Sequence, residues 1–302
     1  MEMMTPTVVV SGASGLLGSA LLPALTAAGW GHRSLVRRAA GVGEVRWSPA
    51  EGAIDAEALT GVTAAVHLAG EPIAEGRWSP EKKARIRSSR VLGTRLLSES
   101  LARLPARPQV LVSASAIGIY GDRGDEVLNE ASVPGTDFLA EVGQEWEAAT
   151  APASDAGIRV VHLRFGIILA ADGGALPRMV KPFLLGAGGP IGDGRQWMSW
   201  IAIEDAVRIV LRALEDGQLG GPVNAVSPNP VRNGEFADRL GQVLHRPALV
   251  PAPAFALRLL FGEMADAALL ASQRVVPARL LEGGFEFRYP TLPEALRAVL
   301  DR

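Results

Sequence analysis

No cysteine occurs among the 302 residues of this chain. Disulfides, thiol catalysis and zinc sites built on cysteine are therefore excluded. Histidine is nearly as scarce. His32, His67, His162 and His245 are scattered without ligand spacing, so no metal site is expected. There are three lysines, Lys82, Lys83 and Lys181, and two tyrosines, Tyr120 and Tyr289. Neither sign of charge dominates: Lys+Arg number 30 against Asp+Glu 32. That balance gives no electrostatic case for nucleic acid as a partner. No apolar run reaches the roughly 18 residues of a membrane span. The N-terminal MEMMTPTVVVSGASG has no basic segment ahead of a long apolar one, so it does not read as a signal peptide. The expectation is a cytoplasmic protein with a small-molecule substrate and no membrane partner.

What is present suits a folded core. Hydrophobic residues make up 48% of the chain and charged residues 21%, which is ordinary globular composition. TVVVSG (7–12) is a β-branched run ending in glycine, and HRSLVRR, VTAAVHLAG (62–70), PQVLVSAS and IRVVHLRFGIIL (158–169) read as further strands. Between them lie helical patterns. In the longest, 79–104, Ser79 suits the cap, Pro80 the first helical position and Glu81 the first turn. DFLAEVGQEWEAATAPASDAG reads as a helix broken near Pro152. Alternating strands and helices predict an α/β, Rossmann-type, doubly wound parallel sheet. Its ligands would sit at the carboxyl ends of the strands.

After residue 170 the texture becomes loop-rich. WIAIEDAVRIVLRALED (200–216) reads as strand then helix, and NGEFADRLGQVLHRP and 254–282 as helical. GFEFRYP looks strand-like. The expected division is a dinucleotide-binding domain over 1–169 and a smaller substrate lobe over 170–302 that re-enters the sheet in places.

The strand-end motifs carry the chemistry. SGASGLLG sets Gly12, Gly15 and Gly18 between the first strand and the first helix. Gly12 permits the tight turn, Gly15 lets the backbone approach a pyrophosphate, and Gly18 allows close helix–strand packing. Ser14, Leu16 and Leu17 complete this cofactor-binding turn. Arg37 and Arg38 close the second strand, where an NAD-binding chain tends to carry an acid. A guanidinium there can grip a 2′-phosphate, which points to NADP(H). The alternative is a solvated arginine pair.

The GxxGxxG spacing resembles the short-chain dehydrogenase/reductase superfamily. AGEPIAEGRW, SSRVLGT, GAGGPIGDG, WIAIEDA and the tail RVVPARLLEGGFEFRYPTLPEAL narrow the resemblance to its atypical, epimerase-family group. The group includes chains described as nucleoside-diphosphate-sugar epimerases or cell-division inhibitor homologues. By that resemblance Leu68, Ala69 and Gly70 lie against the adenosine side of the cofactor, while His67 itself reads as a half-buried strand-end residue. Arg90 faces the cofactor by the same resemblance, or else forms a surface ion pair. Ser113 is a cofactor neighbour, and Gly166 and Ile167 line the nicotinamide. The resemblance leaves a monomer or a homodimer open.

One pair that the superfamily uses is missing. Its chemistry needs a tyrosine to trade a proton with the substrate and a lysine one helical turn later to lower the tyrosine pKa. Tyr120 is followed four residues on by Gly124, and Tyr289 by Pro293. Four residues before the lysines stand Trp78, Ser79 and Pro177, so no YxxxK exists. Phe138 and Val142 align with the missing pair. Ser115 aligns with the superfamily's active-site serine, and Tyr120 with a tyrosine near the substrate. These two are the catalytic candidates. Glu141, Glu145 and Glu147 share the helix that lost the pair. Each reads as a possible acid/base or as ordinary helix surface. Arg164 either binds an anionic substrate group or pairs within the fold. The expected activity is an NADP(H)-dependent oxidoreductase or epimerase-type reaction, with a non-catalytic NADP(H)-binding sensor as the alternative. The loop GAGGPIGDGRQWMSW would wall the substrate pocket.

Overall fold

The computed structural model describes residues 5–300. The chain starts with strand β1 (Thr7–Ser11), helix α1 (Leu16–Ala27) and strand β2 (Gly31–Val36). Two strands that the sequence pattern did not announce follow, β3 (Glu44–Ser48) and β4 (Ala53–Ile54). They are short, and β3 is held by alternate burial of Val45 and Trp47. Then come β5 (Ala64–His67), α2 (Pro80–Ala102) and β6 (Val110–Ala116). The reading of the α2 start holds: Ser79 accepts the Lys82 amide, and Pro80 opens the helix. After β6 the chain runs through a short 3₁₀ turn, Ile117–Tyr120, and β7 (Val127–Leu128) into α3 (Phe138–Ala148) and α4 (Ala151–Asp155). The break falls at Ala149 and Thr150, just before Pro152, which sits in the first turn of α4.

The run 158–169 is not one strand. It divides at Gly166 into β8 (Arg159–Phe165) and β9 (Ile167–Leu169). A Cβ at residue 166 would stand 2.5 Å from the Ser199 carbonyl oxygen, so glycine permits the crossing. Beyond it lie α5 (Leu176–Leu184), β10 (Trp197–Met198), β11 (Trp200–Ala202) and α6 (Ile203–Glu215). They are followed by β12 (Gly221–Ala225), β13 (Val231–Arg232), α7 (Asn233–Leu244) and α8 (Ala254–Phe261). A π-helical turn (Ala265–Leu270), β14 (Arg274–Val275), α9 (Ala278–Glu282) and α10 (Leu292–Leu300) end the described chain. GFEFRYP is irregular rather than a strand. Its Phe285 and Phe287 pack edge to face instead.

The main sheet has the order β12-β8-β6-β5-β1-β2-β3-β4. All its pairings are parallel except β3 with β4. Side chains alternate across it. Val8, Val10, Val66 and Val112 pack with α1 and α6. Val9, Ala65 and Leu111 pack with α2 and α4. Cover on both faces explains why these strands read as unbroken apolar runs. A second core joins α5, α7 and α10 around Trp200, Phe236 and Leu296. The outermost strand, β12, comes from beyond residue 170 and pairs with β8. No described helix is long and apolar enough to cross a membrane.

Candidate active site

The glycine turn is shaped by contacts no side chain could share. Gly12 has φ near 69°, and a Cβ there would lie 2.8 Å from the Leu68 carbonyl carbon. A Cβ on Gly18 would collide with the Gly12 carbonyl oxygen. Gly15 caps α1 without a side-chain hydrogen bond, and no acid stands in the first turn of that helix. The amino end of α1 is therefore a bare cluster of N–H groups with a positive dipole. Ser14 is exposed beside it. Leu16 packs against Gly173 and Gly174, beyond β9. Leu17 is buried in the core, so only its backbone remains available to a ligand.

Ser11 ties this turn to the next strand end. Its hydroxyl oxygen accepts the Leu68 and Ala69 amides at 3.1 and 3.3 Å. Its proton is therefore free to go to His67 Nδ1, at 2.7 Å. That assigns His67 the tautomer protonated at Nε2. His67 is wholly buried rather than half-buried, and its Nε2 has no partner. Burial lowers its pKa to about 4, so it is neutral at pH 7.

The arginine pair at the end of β2 splits. Arg38 makes a two-pronged pair with Glu44, at 2.7 and 2.5 Å. Arg37 is exposed and has no hydrogen bond or ion pair among the described residues. Arg90, on α2, lies beneath exposed Gly70. It donates to the carbonyls of Glu71 and Ile86 and stacks over Trp146 at 5.0 Å. Among the described residues no carboxylate forms an ion pair with it. Burial lowers its pKa to about 10, with Glu71 opposing.

At the β6 end the side chains turn inward. Ser113 is buried, and its hydroxyl has only a long contact to the Ala114 carbonyl, 3.3 Å. Ser115 Oγ donates to Glu147 Oε1 at 2.7 Å. Arg164 grips both Glu147 oxygens at 2.8 Å. Glu147 is thus not helix surface, and Arg164 pairs within the fold. Burial pushes the Glu147 carboxyl up, but the bonds and charge of Arg164, with His162 and Ser115, overcome it and hold it below the usual range. Glu141 and Glu145 are outside this cluster and pair with Arg87.

Tyr120 is fully buried. Its hydroxyl donates to Asn224 Oδ1 at 2.7 Å and accepts from Arg164 at 2.9 Å. Burial raises its pKa against the pull of Arg164. Both hydrogen-bonding directions of this catalytic candidate's hydroxyl are thus engaged within the fold. Phe138 and Val142, in the place of the missing pair, are packed. The Phe138 ring lies under Lys83 at 4.4 Å and Arg87 at 5.7 Å, and Val142 is buried. Gly166 and Ile167 follow β8 beside Ser199.

Sequence reasoning missed Asn224, Glu130 and Trp146. Glu130 is buried and accepts the Asn224 amide at 3.0 Å. These contacts join residues between 56 and 104 positions apart, and no local spacing signals them. The tryptophans of the loop GAGGPIGDGRQWMSW also separate. Trp200 is core, whereas Trp197 lies between Arg232 and Arg274 and donates to Asp125. Trp197 and Arg232 line a cavity of about 620 Å³ that shares no lining residue with the strand ends.

Residues 8–226 match the NAD dependent epimerase/dehydratase family. The chain belongs to that family. Residues 252–299, which contain the whole of the tail motif, match a domain of unknown function, DUF1731. The family member is 44% identical over 295 residues to epimerase family protein MT2273 of Mycobacterium tuberculosis, covering 97% of each chain. It is similar to the crystal structure of human epimerase family protein SDR39U1 with NADPH. The TM-score is 0.90 at 33% identity, over 98% of this chain and 99% of that one. A nucleoside-diphosphate sugar epimerase structure from Corynebacterium glutamicum gives a TM-score of 0.82 at 41% identity, over 98% of this chain and 58% of the other.

Proposed function

We propose that this chain binds NADP(H) across the strand ends and acts as an oxidoreductase or epimerase-type enzyme on a small molecule, without a YxxxK pair. The observation that carries the reading is the glycine turn: Gly12, Gly15 and Gly18 hold open a cradle at the uncapped start of α1. Diphosphate fits such a cradle because N–H groups and helix dipole converge there. Arg37, unpartnered at the end of β2, is suited to a 2′-phosphate, whereas Arg38 is spent on Glu44. The NADPH in the similar human structure supports the same cofactor.

When bound, the nicotinamide supplies or takes up a hydride. The chain's own contribution is proton handling by Ser115 and Glu147. The Ser115 proton points at an ionised carboxylate. The serine oxygen is left to accept a hydrogen bond from a substrate hydroxyl, with Glu147 behind it as the eventual base. The pair is better suited to receiving a proton than to giving one. Calorimetric titration with NADPH and NADH tests the cofactor. NADPH binds more tightly, and Arg37→Glu removes that preference. Equal affinity for both cofactors in the unaltered protein would refute the NADP assignment. Turnover is tested with NADP(H) against carbonyl compounds, alcohols and sugar nucleotides, comparing Ser115→Ala.

A second reading is a non-catalytic NADP(H)-binding sensor. Its support is that the Ser115 and Tyr120 hydroxyls are both engaged within the fold. NADPH binding without turnover of any substrate class would favour it.

A further inference from the structure

The Ser115–Glu147 pair has a third member, supplied by strand geometry. His162 and Arg164 are two residues apart on β8, so both project to one face of the sheet. Glu147 of α3 lies over both. Arg164 holds its two oxygens at 2.8 Å, and His162 Nδ1 stands 4.0 Å from Oε2. Ser115 is in register with Arg164, and Ser113 with His162 one step further from the strand ends. His162 therefore stands behind Glu147.

The tautomer of His162 follows from Thr150. That hydroxyl gives its own proton to the Glu147 carbonyl at 2.7 Å, so it accepts from His162 Nε2 at 2.9 Å. The proton of neutral His162 is thus on Nε2, and the lone pair of Nδ1 is turned towards the carboxylate. A proton on either atom would draw the two into a hydrogen bond. The ring's neighbours in the sheet are Ser113 on β6 and Pro222 on β12, and Ser98 of α2 holds Thr150. None of these titrates. Burial disfavours the imidazolium, the charge of Glu147 favours it and Arg164 opposes it. Against its own burial, Glu147 is held below the usual carboxylate range, chiefly by Arg164. It is poorly suited to keeping a proton, whereas an imidazole is ordinarily the stronger base by about two pH units. His162 keeps 15% of its side chain exposed, so a proton on it can exchange with solvent.

We propose that the proton received by Ser115 comes to rest on His162, which acts through Glu147 and touches no substrate itself. In the oxidising direction the substrate hydroxyl gives its proton to Ser115 as its hydride leaves for the cofactor. Ser115 passes its own proton to Glu147, and Glu147 passes one to His162 Nδ1. Glu147 ends ionised and His162 ends as imidazolium. Reduction runs the same steps backwards. This rests on the proposed role of Ser115 and Glu147 at an NADP(H) site.

The test is an NMR titration of the ligand-free protein labelled with 15N in histidine and 13C in glutamate. His162→Gln and Glu147→Gln identify the two groups. At neutral pH the His162 ring carries its proton on Nε2. As pH falls, Nδ1 gains a proton while the Glu147 carboxyl stays ionised. In Glu147→Gln the His162 midpoint falls by about one pH unit or more. In His162→Gln the Glu147 midpoint rises by a similar amount, because coupling is reciprocal. A ring that only fills space would titrate alike with or without the Glu147 charge. Where Glu147→Gln fails to fold, the wild-type and His162→Gln titrations decide the case. A neutral ring protonated on Nδ1, a carboxyl that protonates before the ring, or midpoints indifferent to the partner's removal would overturn the inference. Adding NADPH separates the two readings. Failure to bind NADPH with the pair coupled refutes the cofactor site, whereas binding with the pair uncoupled refutes the role of His162.

Discussion

Two residues show how burial converts a side chain into a pH response. His67 is neutral in the fold because ionising it in the core is unfavourable. The unfolded chain takes up its proton near pH 6.5, the folded chain only near 4. The unfolded state therefore binds more protons between these values, and stability is lost as pH falls from 6.5 towards 4. The full loss is about 3 kcal/mol. In His67→Gln this component is absent, so the wild-type advantage in melting temperature narrows as pH is lowered from 7 to 4.5. Glu147 behaves in the acid direction. Its lowered pKa contributes stability that is present above the ordinary carboxylate value and lost as pH falls through the lowered one. Glu147→Gln leaves Arg164 buried without its counter-charge and costs about 3–5 kcal/mol. Replacing both, as Glu147→Leu with Arg164→Met, costs less than the sum of the two single changes, read from urea midpoints. A simple sum would mean that the pair is not coupled.

At the scale of elements, close backbone approach is what glycine supplies. In Gly166→Ala the new methyl meets the Ser199 carbonyl oxygen and Val226. Neither side can yield without shifting β9 from β11, so the change costs roughly 1–3 kcal/mol in chemical unfolding. The helix α3 illustrates the opposite case. Its sequence announced a helix, and its amino end is capped by Asp137, which accepts the Ala140 amide. Which of its carboxylates mattered was not legible. Glu141, Glu145 and Glu147 look alike in sequence, yet only Glu147 meets Arg164 and Ser115, because β6 and β8 lie side by side with Ser115 opposite Arg164.

For the whole molecule, the residues beyond 170 complete the sheet and its cover. β12 extends the sheet, and Ala206, Ile209, Val210 and Ala213 of α6 cover the face shared with α1. A fragment ending at residue 169 would expose that face to water and unpair β8. We expect it to lack a cooperative thermal transition, whereas the full chain unfolds with one. A fragment that melts cooperatively would establish 1–169 as an independent domain.

The alternation of strands and helices, the glycine turn and the lack of YxxxK were all fixed by local order in the chain. They depend on neighbours within a few residues, so sequence alone determined them. The short strands β3 and β4, the break at Gly166 and the inward turn of Tyr120 were not. Each depends on atoms brought together from distant segments. Sequence placed Ser115 and Tyr120 together at one strand end. Only the packed sheet decided that Tyr120 is sealed between Arg164 and Asn224 while Ser115 is bound to Glu147. It also decided that Arg38 is neutralised and Arg37 is free, because β3 carries Glu44 beside Arg38. A side chain's partner is a property of three-dimensional distance, and distance along the chain does not encode it.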